Sequence, residues 1–133
     1  MKKIIVNVEF DGAYGASIDS LPGCIAVADT LGELRSMMDE AVQMHLALMR
    51  ERKEPVPPEF KGGYELVYKM NTQGLLVAYD GVLTKAALSR ITGINEKQLW
   101  HYSAGQKRPR LAQSRRIMQG LHKLGRELIS VEL

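Results

Sequence analysis

Cys24 is the one cysteine among 133 residues. It excludes an internal disulfide and fits a reducing compartment, so a cytoplasmic location is expected. The chain also lacks an apolar run near the roughly 20 residues that a membrane-spanning helix needs, and no membrane is expected among its partners. The first residues, MKKIIVNVEFDG, combine two lysines with an apolar run. A signal peptide would continue apolar to a small-residue cleavage site, whereas this segment alternates and soon meets Glu9 and Asp11, so it reads as a strand. No glycine-rich phosphate loop and no Ser-His-Asp arrangement is present. His45 and Cys24 have no Cys or His neighbour at metal-ligand spacing, and both read as packing residues. Glu9, Asp11, Asp19 and Asp29 stand near strand ends, but a metal-dependent nuclease needs carboxylates that converge. No acid lies centrally on the apolar face of the first strand. The expectation is a protein without catalysis, cofactor or metal.

What the chain does have is an uneven distribution of charge. Residues 83–133 hold ten Lys or Arg against three acids, a balance of +7, and residues 1–82 hold eight against twelve, a balance of −4. A basic segment joined to an acidic one points to two jobs. The basic part suits a polyanion, nucleic acid being the commonest.

Hydrophobic periodicity places the boundary between them. Ile4, Val6, Val8 and Phe10 alternate with Ile5, Asn7 and Glu9, the pattern of a half-buried strand, and Asp11-Gly12 signals a turn. Tyr14, Ala16 and Ile18 give a shorter strand, and residues 25–29 a third. Thr30 and Glu33 have capping-box spacing and open a long helix. Leu34, Met37, Met38, Ala41, Val42, His45, Leu48 and Met49 recur at helical spacing and predict one broad buried face. Pro55, Pro57 and Pro58 end the helix near Lys53. EPVPPEFKGG is a loop, and YELVYKM (64–70) a fourth strand. The first domain, 1–70, is therefore β-β-β-α-β, an α+β module. From Asn71 the period becomes helical, with helices over 72–79, 84–91, 96–103 and 111–128 and with Asn71 and Thr84 as caps. This all-α segment, 71–133, forms the second domain.

KAALSRITGINEKQLWHY, 85–102, has the spacing of a helix-turn-helix. Leu88 faces the second helix, Ser89 is small, Gly93 supplies a positive φ at the turn, and Ile94 is buried just past it. Leu99 and Tyr102 point inward. Asn95, Glu96, Lys97, Trp100 and His101 are left facing outward, an arrangement that suits a major groove. Gly105 ends the helix, and Lys107 and Arg108 follow where phosphates would pass. Over about 71–128 the pattern, with the Gly105-to-Pro109 tail, resembles the Cro/C1-type helix-turn-helix family; Thr92 departs from it, since the family usually has an apolar residue there. The resemblance implies that Asn95, Glu96, Lys97 and His101, with Trp100 beside them, read bases. It implies that Lys85, Lys107 and Arg108 grip phosphates. Ile117, Leu121, Leu124 and Leu128, widened by Met118 and Ile129, form a stripe that predicts a homodimer or higher oligomer.

The run LPGCIAVADTLGEL (21–34), followed by a long helix with a basic-acidic end and EPVPPEF, resembles the HicB family of antitoxins over most of 3–70. That resemblance implies a partial ribonuclease-H-like fold without the nuclease's active site. It also implies a small basic HicA-type partner, an mRNA-cleaving toxin, and repression of the chain's own operon through double-stranded operator DNA. The sequence does not reveal which residues meet the toxin. The competing expectation is a solitary helix-turn-helix regulator whose first domain senses a ligand or mediates oligomerisation.

Overall fold

The alternating run at the N-terminus forms the central strand of a four-stranded sheet. The computed structural model describes all of residues 1–133 and divides them into two compact units, Met1–Asn71 and Thr72–Leu133. In the first unit β1 (Lys2–Phe10) pairs antiparallel with β2 (Tyr14–Ser17), and β2 antiparallel with β3 (Ile25–Ala28). α1 (Leu31–Glu51) then carries the chain over to β4 (Tyr64–Lys69), which lies parallel to β1 on its other side, with Ile4 opposite Leu66. The strand order is β3-β2-β1-β4. The unit is thus α+β with a mixed sheet, and the long crossover through α1 is what allows the parallel return.

One sheet face is buried: Ile4, Val6 and Val8 of β1, Tyr14 and Ala16 of β2, and Ala26 and Ala28 of β3. Against them α1 packs Leu31, Leu34, Met38, Val42 and Leu46. Thr30 caps the helix as its sequence predicts, its Oγ1 accepting from the Glu33 amide at 3.1 Å. On the flank towards β4, the Arg35 guanidinium lies 4.5 Å from the centre of the Tyr68 ring and ties helix to strand. Cys24 is buried, and burial pushes its thiol above the usual range, which fits a packing role.

Two expectations need correction. The buried face of α1 is broad, as expected, but rotated from the predicted one. Met37 and Leu48, counted as inward, are exposed, while Leu46 is in the core. The loop after α1 also contains a buried anchor: Pro58–Phe60 forms a single 3-10 turn, Phe60 is 2% exposed, and its ring meets that of Tyr64 edge-on at 5.1 Å. A ring placed by one rigid proline turn closes the bottom of the core without a further strand.

The second unit has four helices: α2 (Thr72–Ala78), α3 (Lys85–Thr92), α4 (Glu96–Ser103) and α5 (Leu111–Ile129). Leu76, Leu88, Ile94, Leu99, Tyr102 and Ile117 make up its core. Thr84 caps α3, its Oγ1 accepting from Ala87 N at 3.0 Å. Gly93 ends α3 at φ +73°, where a side chain would be strained. The fit between α3 and α5 is close: a Cβ on Gly120 would come within 3.0 Å of both Ile91 Cγ2 and the Ile91 carbonyl. Ile117 belongs to this core, so it is not free to join a stripe facing another subunit. Beyond it Leu121 and Leu124 are half-buried, and Leu128, Ile129 and Val131 are exposed.

Candidate nucleic-acid interface

α4 is only eight residues long, yet it divides sharply into two faces. Leu99 and Tyr102 are sealed in the core, and the Tyr102 hydroxyl is fixed by a 2.9 Å bond from Gln98 Nε2. Because 3.6 residues make a turn, burying Leu99 and Tyr102 turns Lys97, Trp100 and Ala104 to the opposite side. Glu96 and His101 flank that arc. Trp100 is 54% exposed, a large area for an indole on a surface.

This face and the turns on either side of it are preorganised. Asn95 caps α4, its Oδ1 accepting from Gln98 N at 2.9 Å, so its Nδ2 is the part left for another partner. Thr92, the departure in the turn, is buried but satisfied. Its hydroxyl donates to the Leu88 carbonyl at 2.7 Å and accepts from Ile94 N at 3.2 Å. An apolar residue there would leave the Ile94 amide without that acceptor, so the threonine locks the turn rather than loosening it. After α4, the Gln106 amide donates to the His101 carbonyl at 3.0 Å and folds the basic loop back on the helix end. Gly105 adopts φ +77° there, with Gln73 so close that a Cβ would stand 2.7 Å from its Nε2.

The expectation that Lys85 grips a phosphate is not met. Its side chain is buried at the start of α3. The ammonium lies 2.9 Å from Asp80 Oδ1 and 4.6 Å from the centre of the Trp100 ring. A cation held in this way is spent on structure: it pairs with Asp80 and supports one side of the tryptophan. Lys107 and Arg108, by contrast, are exposed.

The fold also gathers residues that the sequence reading left out. Asn95, Lys97 and His101 of α4 share a cleft of about 470 Å³ with Lys107 of the loop and Gln113 and Arg116 of α5. It has three cationic side chains in its lining and no carboxylate. Arg116 Nη1 donates to Gln113 Oε1 at 3.2 Å, which holds the guanidinium in place. His101 Nδ1 is buried here without a hydrogen-bond partner. The basic pair Arg115-Arg116 is visible in the sequence, but nothing local indicates that one member turns towards α4. No three His, Cys, Asp or Glu side chains come together as a metal site, and no helix is long and apolar enough to cross a membrane. Of the strand-end acids, Asp19 accepts from Asn7 Nδ2 at 3.1 Å, and Glu9, Asp11 and Asp29 are exposed.

Residues 3–86 match the family described as HicB-like antitoxin of bacterial toxin-antitoxin system. The match covers well over half of the chain. The chain belongs to this antitoxin family. The matched region takes in the sheet unit from residue 3 on, α2 and the first two residues of α3, so it reaches further than the 3–70 resemblance in the sequence. Neither the curated proteins nor the solved structures yield a match. Membership gives the antitoxin a toxin as partner; the exposed face of α4 and its cationic cleft lie wholly beyond the matched residues.

Proposed function

We propose that this antitoxin holds its toxin with the first unit, a partial ribonuclease-H-like module, and represses its own operon by binding operator DNA with the second, a Cro/C1-type helix-turn-helix domain. The observation that carries the DNA half is the exposed arc of α4 backed by a cleft of cations without a carboxylate. In this reading α4 enters a major groove. Lys97 and His101 donate to base edges, Trp100 offers an apolar edge to a thymine methyl, Glu96 accepts from a cytosine amino group, and the Asn95 amide stands at the groove wall. Lys107 and Arg108 hold phosphates, with Arg116 added to them and Lys85 removed. Leu128, Ile129 and Val131, exposed past the core, pair two copies and set two reading helices on successive major grooves. The family match favours this account over a solitary regulator.

Fluorescence anisotropy with duplexes from upstream of the chain's own reading frame tests it. Lys107→Ala and Arg108→Ala are expected to weaken binding to cognate and scrambled duplexes alike, each reducing the salt slope by about 0.9. His101→Ala is expected to change sequence preference instead. Unaltered binding in all three variants rules out this docking. For the toxin half, co-expression with the product of the adjacent reading frame is expected to restore growth and yield a complex.

A further inference from the structure

α1 buries one face and leaves a second apolar strip in solvent. Met37, Met44 and Leu48 are 41%, 72% and 42% exposed. Their spacing places them one above another, with Ala41 beside them, about a third of a turn round the helix from the centre of the buried seam formed by Leu31, Leu34, Met38, Val42 and Leu46. Glu33, Glu40 and Glu51, all exposed, run along the outer side of the same strip. Of the cations near it, one stands beside the strip and two lie off it. Arg35 is turned to the far flank, over Tyr68, Arg50 is about 100° round the helix from Glu51, and Arg52, four residues past Leu48, stands at the C-terminal end of the strip on the side away from the glutamates.

We infer that this strip is the toxin-docking surface, and that the toxin meets it with cations set around an apolar ridge. The inference rests on the antitoxin reading and deepens it by locating the partner. Exposed apolar groups repeated along one helix face mark an interaction site more often than scattered ones do. Methionines adapt to a partner's relief, and a polar rim around an apolar centre is the anatomy of a protein interface. Three carboxylates along one edge, against the single Arg52 at the far end, favour a basic partner and speed its approach. The same three carboxylates argue against a second copy, because twofold pairing would bring like charges together, and against nucleic acid. The outer sheet face also exposes Ile25 and Val27, but there Lys3 and Lys69 mix with Glu9 and Glu65, so it has no such charge preference.

The test uses the full-length chain and the purified product of the adjacent reading frame, with affinity and association rate measured across a salt series. Met44→Lys is expected to weaken binding roughly tenfold or more. The double variant Glu40→Gln, Glu51→Gln is expected to slow association and flatten its salt dependence. Val27→Lys on the sheet face is the control, and its affinity stays at the wild-type value. Unchanged melting and DNA binding in each variant show that the fold is kept. Wild-type binding that Met44→Lys and the glutamine pair leave within about twofold overturns the inference while the antitoxin reading stands. Failure of the wild-type chain to bind overturns that reading, and the inference with it. A fall in the chain's own oligomeric mass in Met44→Lys makes the strip a self-interface and overturns the inference as well.

Discussion

Leu99→Ala is expected to cost the second unit about 3–5 kcal/mol. Leu99 is fully buried among Leu76, Leu88, Ile94, Tyr102 and Ile117, so truncation leaves a hole walled by helices on every side. Short helices joined by tight turns cannot easily collapse into such a hole, which places the cost in the upper part of the usual range. A unit of this size is stable by only about 3–9 kcal/mol, so most or all of its stability is removed. Trp100 is the only tryptophan, so its fluorescence during urea unfolding reports on this unit alone. The midpoint is expected to fall sharply, and DNA binding with it. A loss below about 1 kcal/mol would mean that Leu99 is not a keystone of the core.

Asp80→Ala is the next largest effect, and its sign is informative. The Lys85 ammonium would stay buried with only the Trp100 ring to face. An isolated buried charge is destabilising, but Asp80 itself is 62% exposed and its attraction is partly screened, so the expected cost is about 1–3 kcal/mol rather than the full value for a sealed pair. Lys85→Met removes the charge and keeps an unbranched apolar side chain against Trp100; it is expected to lie within about 1 kcal/mol of wild type. Adding Lys85→Met to Asp80→Ala should then recover most of the loss, a strong coupling in a double-mutant cycle followed by Trp100 fluorescence. Simple additivity would show that the pair does not act as a unit.

The same cluster shows where sequence reading stops. α3, its Gly93 turn and α4 are legible because their signals are local: Thr84 is a cap, and only glycine sits comfortably at φ +73°; that Asn95 caps α4 emerges only in the structure. Lys85 was misread because a lysine at a helix start looks solvent-exposed. Its burial depends on Asp80 five residues earlier and Trp100 on another helix, a tertiary arrangement that no spacing rule encodes. Arg116 and Gln113 were missed for the same reason, since the cleft they line forms only when α5 lies beside α4. In the first unit the periodicity of α1 locates a buried face, but the bearing of that face depends on the sheet beneath. Met37 and Leu48 therefore looked like core residues and are exposed. Phe60 is the opposite case, a core ring hidden in a proline-rich loop.

The two halves of the chain make separable demands. Substitutions on the strip of α1 should release the toxin without touching DNA, and substitutions after Gly105 should do the reverse. What unites them is the claim that the outer face of α4 reads DNA in the major groove. Methylation protection on the segment upstream of the chain's own reading frame addresses that claim directly, because guanine N7 lies in that groove. Protected guanines in two successive major grooves, about one helical turn apart, are expected with the wild-type chain, and a Lys97→Ala variant should lose them selectively. Binding that protects no major-groove guanine, or protection that Lys97→Ala leaves intact, would contradict the account.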